Sequence, residues 1–192
     1  LNFDYYSPTK FVFGEHAEEQ TGELTAPLTG SRRILIVYGS SRIEEDGLLA
    51  RIEESLQAGG ISWVKLSGVK PNPEIGLVRE GISLVRREGV DFILAVGGGG
   101  VLDTGKAIAC GATDDGDMSS FLNGSAEPED AFPIGVVLTL SATGSEGSNC
   151  AVITNDEGEK AGICSECIRP RFAVMNPALT CSVPNWHTAC GS

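Results

Sequence analysis

The sequence is short of positive charge. It sets 14 Lys and Arg against 26 Asp and Glu, a formal net charge of −12 over 192 residues. Nucleic acid and anionic membrane surfaces are thereby disfavoured as partners, since both recruit basic patches. A single anionic ligand remains compatible, because backbone dipoles can hold it without a cation. No apolar run reaches the ~20 residues of a membrane-spanning helix, and the opening LNFDYYSPTK lacks the basic and apolar regions of a secretory leader. Histidine is scarce: His16 and His187 have no ligand-like partner and read as surface or packing residues. A dense cysteine framework is also missing. Cys110, Cys150, Cys164, Cys167, Cys181 and Cys190 read as reduced thiols of a cytoplasmic protein. Cys164-Ser165-Glu166-Cys167 is a C-x-x-C with no second pair, which is half of a structural zinc site.

Glycine, by contrast, is abundant at 25 residues, about twice its usual share. Strand-like apolar runs occupy residues 11–13, 33–38, 61–66, 92–96 and 134–138. Helical patterns fall between them: residues 14–28, residues 45–58, the stripe Ile75, Val78, Ile82 and Val85, and a segment reaching about residue 112. Residues 150–153 and 172–175 read as further strands flanking TNDEGEK. Strands alternating with single helices predict an α/β fold, a Rossmann-like parallel sheet with helices on both faces. Ligands of such sheets sit at the carboxyl ends of the strands.

The stretch AVGGGGVLDTGKAIA places four glycines where a strand meets a helix. A flexible turn needs one glycine, and each extra one costs about 0.5–1 kcal/mol. Residues 100–107 nearly match the triphosphate loop G-x-x-x-x-G-K-[ST], but Ala107 stands where a hydroxyl should hold Mg²⁺. On that account Lys106 reads as a solvated helix residue paired with Asp103, three positions earlier. A third reading is a dinucleotide cradle, in which glycines let the backbone approach a pyrophosphate at a helix N-terminus. The match to G-x-G-x-x-G is imperfect, since Leu102 occupies the last glycine position, and the run follows the third β/α strand. Gly144-Ser145-Glu146-Gly147 does not form the G-x-S-x-G elbow of a serine hydrolase.

AVGGGGVLDTGKAIA, TLSATGSEGSNCAVITNDEGEKAGI and GVKPNPE together resemble the iron-containing alcohol dehydrogenases, nearest their butanol-dehydrogenase branch. The likeness runs from SPTKFVFG to VPNWHTACG. It implies the N-terminal cofactor domain of a two-domain, dehydroquinate-synthase-like fold, with residues 1–176 as that domain and 177–192 as the start of a metal-binding helical one. The family's Gly-Gly-Gly-Ser-x-x-Asp becomes Gly97, Gly98, Gly99, Gly100 and Asp103, with glycine in place of serine. Gly98, Gly99 and Gly100 are expected to hold a pyrophosphate through main-chain donors, with Asp103 beside the cofactor. Thr139-Leu140-Ser141-Ala142-Thr143-Gly144-Ser145-Glu146 resembles the family's Thr-Thr-x-Gly-Thr-Gly-Ser-Glu cofactor loop, departing from it at Leu140 and Ala142. Thr139, Leu140, Ser141, Thr143 and Ser145 are carried over as cofactor neighbours, as are Lys160, near the nicotinamide ribose, and Asn72.

An NAD-selective site places a carboxylate near the end of an early strand, where it accepts from the ribose 2′-hydroxyl. After Tyr38 this chain has Gly39, Ser40, Ser41 and Arg42 instead, which suits a 2′-phosphate. NADP(H) is therefore expected ahead of NAD(H), although Glu44, Glu45 and Asp46 lie nearby. The resemblance further implies a divalent metal, usually iron, whose ligands are expected beyond Ser192, and a homo-oligomer acting on a small alcohol or aldehyde. The chain then reads as the cofactor-binding half of a dehydrogenase. A phosphate-loop enzyme using residues 100–107 and a non-catalytic dinucleotide-binding module remain as alternatives.

Overall fold

The computed structural model describes residue 2, residues 6–181, and residues 183, 186 and 189. His187 and Cys190 lie outside the described residues, as does most of the segment expected to open a helical domain. In chain order the strands are β1 (Lys10–Phe13), β2 (Arg33–Tyr38), β3 (Ser62–Leu66), β4 (Ile93–Gly97), β5 (Ile134–Leu138), β6 (Cys150–Thr154), β7 (Lys160–Cys164) and β8 (Phe172–Met175). The α-helices are α1 (Thr21–Thr25), α2 (Arg42–Glu45), α3 (Leu48–Ala58), α4 (Ile75–Glu88), α5 (Gly99–Thr113) and α6 (Ser119–Leu122).

Six strands form one parallel sheet in the order β1-β8-β5-β4-β2-β3, and β6 and β7 form a separate antiparallel pair. The continuous apolar runs of β4 and β5 are buried along their whole length, as expected of parallel strands covered on both faces. Alternation then sorts side chains between two cores. Leu35 and Val37 pack with Val78, Ile82, Val85 and Ile108 under α4 and α5. Ile34 and Ile36 pack with Leu49, Ile52 and Leu56 under α3. Each fully buried aliphatic side chain contributes roughly 1.5–3 kcal/mol relative to exposure.

Strand order decides where a ligand can sit. From β2 the chain steps outward to β3, returns past it to β4, and continues the other way to β5. The order therefore reverses between β2 and β4, and the crevice outside their carboxyl ends is the topological switch point. The glycine run follows β4 at that crevice, so its place after the third strand is no anomaly in this topology.

Several expectations are corrected. Residues 14–28 do not form one helix. They divide into 3-10 turns at Ala17–Gln20 and Ala26–Leu28 around the short α1, and Pro27 forbids a continued α ladder. The helix expected over residues 45–58 is broken by Gly47, whose φ of 71° favours a residue without Cβ. The strand pair around TNDEGEK is β6 with β7, whereas residues 172–175 belong to the main sheet between β1 and β5. KAGIC, with one strongly apolar residue buried, carries too faint an alternation to announce a strand. Finally, the six cysteines are not all free thiols: Cys150 and Cys164, opposite one another in the hairpin, form a disulfide.

Candidate functional site

Helix α5 opens at Gly98, whose backbone is extended (φ −87°, ψ −176°) and which has no side chain to cap the helix. Among the described residues, no hydrogen bond engages the N–H groups of Gly99 and Gly100. These orphan donors, and the positive end of a 15-residue helix dipole, face the switch-point crevice and suit an anion.

None of Gly97 to Gly100 has a left-handed φ. Space, not conformational freedom, requires most of them. A Cβ at Gly97 would lie 2.6 Å from Val101 Cγ2, and one at Gly99 would lie 2.4 Å from Thr143 Oγ1. At Gly100 it would press on the Pro71 carbonyl at 3.2 Å, whereas at Gly98 it would meet Leu140 at an ordinary 3.4 Å. The run therefore lets two segments close over the start of α5: the loop 139–149 on one side and residues 70–73 on the other.

That loop is stapled down by two side chains of α5. Ser145 Oγ donates to Asp103 Oδ1 at 2.6 Å, and the Val152 amide donates to Asp103 Oδ2 at 3.0 Å. Lys106 is fully buried, which corrects its reading as a solvated residue. Its ammonium donates to Ser145 Oγ, the Ser148 carbonyl and the Cys150 carbonyl, each at 2.9 Å. Burial lowers its pKa to about 8, against the opposing pull of Asp103 and Glu146. Thr143 Oγ1 accepts from the Ser145 amide, and Arg169 donates to the Gly147 carbonyl. The hairpin turn is tethered by Arg79 of α4, whose guanidinium forks to Asp117 and Asp156.

Two cavities flank this assembly. The larger, about 610 Å³, includes Arg42, Ile43, Thr139, Leu140, Asn176 and Leu179 in its wall. The smaller, about 310 Å³, gathers Asn72, Gly99, Gly100, Asp103, Thr143, Ser145 and Lys160. The structure thus brings together most of the carried-over residues, while Ser40 and Ser41 stay exposed on the turn after β2 and Ser141 on the loop. Gly39 packs under the Val69 carbonyl. The acids after that turn are each engaged: Tyr38 Oη donates to Glu44, Ser41 Oγ to Glu45, and Arg42 Nε to Asp46. Ser148, Cys150, Val152 and Thr154 also line the smaller cavity. Sequence reasoning missed them, since only the hairpin pairing turns them toward α5.

The triphosphate-loop reading fails on geometry. Residues 100–107 are helical, Thr104 Oγ1 bonds back to the Gly100 carbonyl at 2.8 Å, and Lys106 points into the hairpin. The C-x-x-C is not a metal pair either, because Cys164 is bonded to Cys150. Among the described residues no group of three or more His, Cys, Asp or Glu could hold a metal ion. His16 is exposed and 3.2 Å from Glu19.

A family model described as iron-containing alcohol dehydrogenase matches residues 8–177. The probable NADH-dependent butanol dehydrogenase 1 of Bacillus subtilis is 42% identical over 99% of this chain, which spans 49% of that protein. The NADPH-dependent aldehyde reductase YqhD of Escherichia coli is 35% identical over 99% of this chain and 49% of its own length. A crystal structure of NADH-dependent butanol dehydrogenase A from Thermotoga maritima superposes with a TM-score of 0.94 at 39% identity, covering 99% of this chain and 48% of that one. The chain thus spans about half the length of the relatives it matches.

Proposed function

Because this chain belongs to the iron-containing alcohol dehydrogenase family, we propose that it is the dinucleotide-binding portion of an NADP(H)-dependent enzyme interconverting alcohols with aldehydes or ketones. The observation that carries this is the uncapped start of α5 at the switch point, roofed by the loop 139–149 and flanked by two cavities. One cavity on each side of an anion-binding centre matches the form of a dinucleotide, two nucleosides joined by a diphosphate. The nicotinamide, when bound, supplies the hydride acceptor or donor. The chain's own part is to bind and orient. The amides of Gly98, Gly99 and Gly100 hold the diphosphate, Thr139 and Leu140 border one nucleoside, and Asn72, Asp103, Thr143, Ser145 and Lys160 border the other. The divalent metal is assigned to none of the described residues.

The preference for NADP(H) rests on the turn Gly39-Ser40-Ser41-Arg42, which presents hydroxyls and a guanidinium with no carboxylate in its first positions. Each acid that follows is engaged by a donor, Glu44 by Tyr38 and the other two by Ser41 and Arg42 of the turn itself. Fluorescence titration of the purified chain with NADPH and NADH tests both levels. The expected result is binding of both, with NADPH at least about tenfold tighter, the worth of one charge-assisted contact. Tighter NADH binding overturns the preference; no binding of either overturns the function.

A further inference from the structure

Lys106 has a chemical position that the dinucleotide reading leaves unused. An ammonium has three donors and no acceptor. Here all three find oxygen at 2.9 Å: one hydroxyl and two carbonyls, drawn from the loop 139–149 and the first residue of β6. Buried lysine is expensive, and this one is fully enclosed. A residue needed only to fill the space beneath a loop would be apolar. Asp103, one helical turn earlier, completes the arrangement by accepting from Ser145 and Val152. Ser145 therefore sits between a cation and an anion of the same helix, while Thr143, two residues earlier, lies against Gly99.

We infer that Lys106 is a positioning residue for the dinucleotide: its three hydrogen bonds hold the loop 139–149 and β6 against α5, and so set the shape of the smaller cavity. This rests on the cofactor reading above. Lys106 does not line either cavity and acts through Ser145, Ser148 and Cys150, which line the smaller one.

The charged groups facing it are Asp103 on its own helix, Glu146 on the loop and Arg169 beyond β7. Its pKa of about 8 places loss of the third donor just above neutral pH. An opened loop would expose the ammonium and restore its ordinary value of 10.5, so by linkage the closed clamp is favoured as pH rises from about 8 towards 10.5.

The test compares the chain with Lys106→Met and Ser145→Ala by two readouts. Hydrogen exchange at pH 7 is expected to show protection lost in residues 143–154 and kept in β2, β4 and β5. NADPH affinity is expected to fall about tenfold or more in Lys106→Met, the effect of removing a charged donor. Protection of residues 143–154, corrected for the intrinsic exchange rate, should also rise between pH 7 and 9.5, and that slope should vanish in Lys106→Met. Should Lys106→Met not fold, Ser145→Ala, which cuts the link between Lys106 and Asp103, and the wild-type pH series decide the matter. Unchanged protection and unchanged affinity in the variants, or a flat wild-type pH series if Lys106→Met does not fold, overturn the inference while leaving the cofactor reading intact. If the wild type binds neither dinucleotide, the cofactor reading fails, and exchange alone judges whether Lys106 holds the loop.

Discussion

At Gly99, one hydrogen in place of a methyl group lets the loop reach the helix. The missing Cβ would sit 2.4 Å from Thr143 Oγ1, far inside any real contact, so Gly99→Ala must displace residues 139–149. Overpacking of this kind costs about 1–3 kcal/mol. The expected outcome is a stability loss in that range by urea denaturation, with dinucleotide affinity reduced by more than Gly98→Ala reduces it, since a methyl at Gly98 meets only Leu140 at 3.4 Å. Equal affinities for the two variants would contradict the packing account.

Lys106 carries a second consequence at the same scale. Its pKa falls from 10.5 to about 8 in the folded chain. Between those values the unfolded state still holds the proton that the native state has released, so stability rises with pH across the window. Below pH 8 both states are protonated and the contribution is flat. The full rise amounts to about 3 kcal/mol, and denaturation midpoints at pH 7.5 and 10 should show it in the wild type and lose it in Lys106→Met. Global stability and closure of the loop 139–149 over α5 are thus expected to rise over the same pH range.

Among the elements, the β6–β7 hairpin decides most about the site. It crosses over α5, brings Val152 to Asp103 and places Thr154 and Lys160 on the smaller cavity. Ties to the rest of the fold include the Lys106 clamp, the Val152 bond to Asp103, the Thr154 amide to the Pro73 carbonyl and the Arg79 fork to Asp156, while the Cys150–Cys164 bond joins the two strands of the hairpin. The bond links residues 14 apart, and closing a loop of about that length stabilises a chain by up to about 3 kcal/mol. Reductant should therefore lower the wild-type denaturation midpoint and leave a Cys150→Ser/Cys164→Ser variant unmoved. A wild type indifferent to reductant would show that the bond is not formed.

Legibility also varied by element. The buried strands β2, β4 and β5 and the striped helices α3 and α4 announced themselves, because continuous or 3.6-periodic apolar residues admit few other placements. The hairpin did not. Its second strand buries little, and its partner is set by pairing across a turn. The burial of Lys106 is illegible for the same reason: a lysine in a helix reads as solvated until a hairpin is laid over it.

For the molecule as a whole, charge and topology work together. A net charge of −12 disfavours a broadly cationic surface, and the start of one helix at the crevice where strand order reverses can hold an anion locally. Thermal unfolding should report this. NADPH at a hundred times its Kd is expected to stabilise the chain by about 2.7 kcal/mol, whereas ATP should give no comparable shift. Protection by ATP and none by NADPH would revive a triphosphate site. The purified 192-residue chain is expected to bind dinucleotide without sustained alcohol oxidation, and steady turnover in a coupled assay would contradict that.

The order of β2, β3, β4 and β5 with helices α3, α4 and α5 between them, the burial of the central sheet and the glycine-marked start of α5 were determined by the sequence alone, since each follows from local periodicity or from a residue type with one physical use. Which strand lies beside which, where the order reverses, and that Lys106, Asp103, Ser145 and Val152 meet were decided only by the tertiary structure. Those contacts join segments up to 49 residues apart, and nothing in either segment alone specifies the distance between them.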